Sequence, residues 1–186
     1  MISLSALYLP ILVSAILAFV ASSIIHMTPM WHKSDFPRAP KEDQIVAALR
    51  PLAVPPGDYM IPRGASMADM RTPEFQDKLS KGPVLVMTVM PNGPFSMARN
   101  LVLWFIFLLV VSVFVAYVCG RALPAGAAYL KVFQVAGTVA FMGYAFALWE
   151  LTIWFRRSLS LTLKATLDGL IYAGITAGTF GWLWPH

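Results

Sequence analysis

Apolar residues gather into long unbroken runs, and charged residues stand in the gaps between them. Residues 5–27, SALYLPILVSAILAFVASSIIHM, carry no Asp, Glu, Lys or Arg over a length that can cross a hydrocarbon layer of about 30 Å, which takes ~20 helical residues. Pro10 falls near the start of this run, where a missing N–H costs least. The run lacks a positive leading segment and is too long for a signal-peptide core, so it is expected to be a retained span. NLVLWFIFLLVVSVFVAYVC, residues 100–119, is a second span without a charge, closed by Gly120, Arg121 and Pro124. The third, AAYLKVFQVAGTVAFMGYAFALWELTIWF at 127–155, has Lys131 and Gln134 in its first turns, Glu150 near its far end, and Arg156 and Arg157 beyond it. A fourth, LKATLDGLIYAGITAGTFGWLWP at 163–185, opens with Lys164 and Asp168. Trp182 and Trp184 at its exit, and Trp31 after the first span, suit an interfacial aromatic belt.

The pattern changes between the first and second runs. Residues 28–98 are proline-rich, mixed in charge and poor in long apolar stretches. RAPKEDQIVAALRPL predicts a short helix with Ile45, Val46 and Leu49 on one face. Prolines bracket PPGDYMIPR and hold it extended or turning. RTPEFQDKLSKG has Thr72 as helix cap and Pro73 at the first helical position. PVLVMTVM is a β-branched strand run that ends at the turn signal PNGP. The expected fold is therefore an all-α integral membrane protein with four transmembrane helices. Residues 1–27 form the first, residues 28–98 an extramembrane insertion of short helices and one or two strands, and residues 99–186 the remaining three.

Composition agrees: 58% of residues are hydrophobic and 12% charged, against roughly 45–50% and about 25% in soluble domains. The net charge of +5 reports topology rather than nucleic-acid binding, because the basic residues sit at span ends. Lys33, Arg38, Lys41, Lys81 and Arg99 flank the insertion, and Arg156, Arg157 and Lys164 lie between the third and fourth runs. The opposite side has only Arg121 and Lys131. Eight against two places the insertion in the cytoplasm and both termini outside. The insertion exceeds the ~60-residue limit of that rule; without it, three against two keeps the sign. The single cysteine, Cys119, excludes an intrachain disulfide or a paired-cysteine zinc site.

Candidate chemistry is sparse. His26, Met27, Met30 and His32 crowd the exit of the first run, and Met67 and Met70 repeat the M-x-x-M spacing in the insertion. Thioether sulfur with imidazole suits Cu(I), so copper is the cofactor these residues would take. The competing account is that flexible methionines fill an irregular interface. Lys131, Glu150, Arg156, Arg157, Lys164 and Asp168 are the ionisable groups near the bilayer; a salt-bridged rim cluster or an ion or proton path through Asp168 and Glu150 would use them. Gly169, Ala173, Gly174, Ala177, Gly178 and Gly181 form a small-residue stripe that allows close helix packing in lipid. No G-x-S-x-G, H-E-x-x-H or glycine-rich phosphate loop is present, so no enzymatic activity is expected.

At PPGDYMIPR, RTPEFQDKL and DGLIYAGITAGTFGWLWP the chain resembles uncharacterised small multi-pass membrane proteins of bacteria, over most of its length. The resemblance implies a bacterial inner membrane and brings no activity, cofactor or catalytic residue. The functional expectation is a non-enzymatic membrane protein that acts by assembly, as a homo-oligomer or an accessory subunit of a larger complex. Its partners would be lipids, including bound lipid, and protein, with no nucleic acid. Copper handling and an ion path are the alternatives.

Overall fold

The computed structural model describes residues 1–27, 31–94 and 96–186. Its α-helices are α1 (Tyr8–Met27), α2 (Glu42–Leu49), α3 (Pro73–Lys81), α4 (Met97–Ala122), α5 (Tyr129–Phe141), α6 (Leu148–Phe155) and α7 (Leu159–Trp182). A 3-10 turn at Leu4–Leu7 leads into α1, and a π-helical segment, Met142–Phe146, joins α5 to α6. The chain divides into two compact units: residues 1–37 with 96–186, and residues 38–95.

The larger unit is a helix bundle. Three of its helical stretches are long and apolar enough to cross a membrane: Leu4–Met27, Met97–Ala122 and Tyr129–Phe155. Their outward side chains are themselves apolar, among them Leu12, Ile16, Val20, Ile106, Val110 and Phe114. Water would leave such a surface aggregating, whereas lipid solvates it. This is a multi-pass membrane protein. The core lies between the helices, on Ala15, Ala18, Leu108, Val115, Val132, Ala136, Ala140, Ala177 and Phe180.

α7 is long enough to span but less apolar, because threonines, glycines, Lys164 and Asp168 dilute it. It packs against α1, α5 and α6 and buries Thr162, Asp168, Tyr172, Ala173, Thr176, Ala177 and Phe180. Its outer face is still apolar, with Leu163, Leu167, Leu170 and Ile171 exposed. Its small residues divide between neighbours and open space. A Cβ on Gly169 would stand 3.1 Å from Ala145 Cβ, and one on Gly181 would stand 2.7 Å from the Tyr129 ring. Ala173 and Ala177 are buried. Gly178 is looser, with Tyr129 Oη at 3.6 Å, and Gly174 faces nothing within 4 Å.

The far end of the bundle is tied by the backbone. Ile2 N–H donates to the Gly120 carbonyl at 2.9 Å, and Gly126 N–H to that of Pro185 at 2.8 Å. Trp184, expected in an interfacial belt, is buried, and its Nε1–H donates to the Pro124 carbonyl at 2.9 Å. Trp182 stays exposed.

The smaller unit contains α2, α3 and a two-stranded antiparallel sheet of β1 (Gly57–Ile61) and β2 (Leu85–Val89), with Tyr59 opposite Met87. Thr72 caps α3 by accepting from Phe75 N–H, Pro73 is its first residue, and Gly82 ends it. Phe75 is the one hydrophobic residue fully buried among the described residues of this unit.

Two glycines test the packing. Gly120→Ala would place a Cβ 2.7 Å from the Ile2 carbonyl oxygen, and overpacking of this kind costs about 1–3 kcal/mol. Gly174→Ala fills open space and removes a helix-interior glycine, a gain of about 0.5–1 kcal/mol. Thermal unfolding in detergent should lower the midpoint for the first and hold or raise it for the second.

Candidate functional site

The last turn of α1 carries His26, whose Nδ1 lies 2.9 Å from the Ser22 carbonyl. A carbonyl can only accept, so Nδ1 bears the proton and Nε2 is left with its lone pair or a second proton. His32 stacks on it, ring centroids 4.4 Å apart and planes 8° from parallel. His32 Nδ1 lies 2.6 Å from Asp35 Oδ2. Its Nε2 lies 3.1 Å from Asp168 Oδ2 yet is not aligned for a hydrogen bond.

α7 supplies the other half of the site. Lys164 and Asp168 are four residues apart, so one helical face presents both. Asp168 is 5% exposed, and its Oδ1 accepts from Trp31 Nε1–H at 3.0 Å. Lys164 Nζ donates to Asp35 Oδ1 at 2.8 Å and to Ser34 Oγ at 3.0 Å. Asp35 thus bridges a histidine and a lysine, one carboxylate oxygen to each. Burial pushes the Asp35 carboxyl up, but the Lys164 ammonium and His32 outweigh it and hold the group below its ordinary value.

One ring nitrogen from each of His26 and His32 and one Asp168 carboxylate oxygen lie within 4.8 Å of one another. Two imidazoles and a carboxylate are a ligand set for a divalent transition metal. Metal-bound histidines as a rule donate their second N–H to a carboxylate or a backbone carbonyl, which fixes the ring. Asp35 and the Ser22 carbonyl occupy those positions here.

Of the residues singled out from the sequence, His26, His32, Lys164 and Asp168 come together. Met27 is exposed, and Met30 lies outside the described residues. Met67 and Met70 belong to the other unit, where Met67 sits in the turn before a short 3-10 helix, Asp69–Arg71, rather than on an α-helix. Glu150, Arg156 and Arg157 are at the same end of the bundle, but no ion pair joins them among the described residues, and Glu150 is exposed. Lys131 stands at the opposite end, in the first turn of α5. Trp31, Ser34 and Asp35 complete the cluster without having been singled out as a site. The one signal for them was local: His32 and Asp35 have the i, i+3 spacing of a helical-turn ion pair.

Comparison with protein-family models, with curated proteins and with solved structures finds no match for this chain.

Lys164→Met strands the Asp35 carboxylate in a half-buried setting and should cost about 1–3 kcal/mol. Adding Asp35→Asn should return part of that loss, with a coupling of about 0.5–3 kcal/mol in the double-mutant cycle; strict additivity would refute the pair. Because the folded Asp35 carboxyl is depressed, its stabilisation is complete above its unfolded value of 3.8 and disappears as pH falls through the lower folded value. Acid titration of unfolding should show that loss in the wild type and lack its Asp35 part in Asp35→Asn.

Proposed function

We propose that this membrane protein binds a divalent transition metal ion at the membrane boundary, through His26, His32 and Asp168. The observation that carries the reading is the tethering of both histidines by Nδ1, one to a carbonyl and one to a carboxylate, beside a buried acid. Bonds of about 2.1 Å put neighbouring ligand atoms roughly 3–3.4 Å apart. The His32–Asp168 separation of 3.1 Å already matches, and a ring nitrogen of His26 lies within 4.8 Å of both. The donor set of nitrogen and oxygen favours Zn²⁺ or Fe²⁺ over Cu(I), and needs no methionine. Three protein ligands leave a coordination position for water or a further ligand.

In this reading α7 is a fourth span, and residues 31–35 lie at the membrane face that bears the metal. The basic residues at the span ends support a cytoplasmic position for that face in a bacterial inner membrane.

Purified protein, stripped and titrated with Zn²⁺ and with Co²⁺ as a visible-absorption probe, should bind one equivalent. His32→Ala should abolish binding, and Asp35→Asn should weaken it about 10–100-fold, the usual cost of losing an outer-shell partner. If no metal binds, the cluster is a structural clasp that holds His32 between the Asp35 and Asp168 carboxylates instead.

Assembly is a second reading, supported by Gly174, where an added Cβ would meet nothing within 4 Å although the residue lies on a packing stripe. Mass measurement in mild detergent should then give more than one copy or a partner, and Gly174→Leu should shift the protein to a monomer of 20.5 kDa.

A further inference from the structure

Trp31 follows the first span and, by its place in the chain, suits an aromatic belt. The fold gives it a narrower role. Its ring stands perpendicular to that of His32, with centroids 6.4 Å apart. Its Nε1–H reaches α7 and donates to Asp168 Oδ1 at 3.0 Å. An indole N–H can only donate, so this contact engages Oδ1 and holds the carboxylate in one orientation. The other oxygen, Oδ2, is the one that faces His32 Nε2 at 3.1 Å.

The same division runs through every member of the cluster. His26 commits Nδ1 to the Ser22 carbonyl, His32 commits Nδ1 to Asp35, and Asp168 commits Oδ1 to Trp31. Each group keeps a second atom for a ligand bond. His32 Nε2 is buried and has no hydrogen-bond partner among the described residues. Among those residues Trp31 is also the one hydrogen-bond donor to Asp168.

A carboxylate binds a metal ion through one oxygen or through both, and that choice sets the coordination number. Through one oxygen, His26, His32 and Asp168 supply three bonds and leave one position of a tetrahedron open, as in the open sites of Zn²⁺. Through both, the site grows toward the oxygen-rich shell of about six ligands that Mn²⁺ prefers. We infer that Trp31 is a specificity-determining residue. By engaging Asp168 Oδ1 it confines the carboxylate to a single metal bond, through Oδ2, and tunes the site to ions that accept a tetrahedral shell, Zn²⁺ and Co²⁺, over Mn²⁺. Trp31 acts through Asp168, as a positioning residue, and its role depends on the metal reading proposed for His26, His32 and Asp168.

Trp31 also helps to lay residues 31–35 against α7, so a change in stability would not single out its N–H. The coordination geometry does. Trp31→Phe keeps an aromatic ring and removes the donor. In stripped full-length protein in detergent, the wild type titrated with Co²⁺ should show the intense visible absorption of a tetrahedral ion. Trp31→Phe should still bind one equivalent, with the weaker absorption of a higher coordination number. Its ratio of Zn²⁺ to Mn²⁺ affinity should fall by about tenfold, the lower end of what an outer-shell partner contributes. An unchanged Co²⁺ spectrum and an unchanged affinity ratio overturn the role of Trp31 and leave the metal site standing. Should the variant not fold, the wild-type spectrum serves alone: weak octahedral absorption at full occupancy overturns the proposal. A wild type that takes up neither Zn²⁺ nor Co²⁺ removes the metal site itself, and the role of Trp31 with it.

Discussion

The structure turns on the burial of one carboxylate. Taking an ion out of water costs several kcal/mol, and attraction to partners repays it only where the geometry is good and the remaining lone pairs are occupied. Asp168 sits in the wall of the bundle at 5% exposure, with Trp31 Nε1–H on one oxygen and His32 against the other. Those partners come from the segment after α1, so solvating Asp168 brings residues 31–35 back onto α7. Asp35 arrives with them, and Lys164, one turn before Asp168, neutralises it. His32, Asp35, Lys164 and Asp168 are each placed by the need of another.

The same constraint explains why α7 differs from the other long helices. α1 and α4 present leucine, isoleucine, valine and phenylalanine outward on all but their contact faces. α7 presents Leu163, Leu167, Leu170 and Ile171 outward as well, but carries polarity inward, from Lys164 and Asp168 to Tyr172 and Thr176. Its glycines at 169 and 181 let α5 and the π segment come within contact distance. Close approach is what makes polar groups tolerable there, because it leaves little lipid to meet them.

The sequence disclosed what is local and hid what is long-range. The first span read as 5–27 is Leu4–Met27, and the second, read as 100–119, is Met97–Ala122. An uncharged run of that length has few alternatives in lipid. Thr72 and Pro73 opening α3 are equally local, since cap and first-turn chemistry involve neighbours only. The meeting of Trp31 with Asp168 spans 137 positions and leaves no periodic trace. Glu150 and Asp168 share an end of the bundle, as charge placement along the chain implied, but their facing depends on helix rotation. That rotation is altered by the π turn at Met142–Phe146, where Gly143 lets Val111 approach to 3.2 Å of a Cβ position, and composition alone does not announce it.

The two ends of the bundle are fastened by different kinds of bond. At the far end the ties are main-chain amides and an indole on carbonyls: Ile2 to Gly120, Gly126 to Pro185 and Trp184 to Pro124. At the near end they are ionisable groups held in a mostly shielded setting, with Lys164, His32 and Asp35 at 18%, 17% and 8% side-chain exposure, so dissolved salt screens them little. Acid strong enough to protonate Asp35 therefore loosens one end and spares the other. One lip of the bundle is thus stitched by bonds without a titrating group, and the other by a carboxylate that strong acid can neutralise.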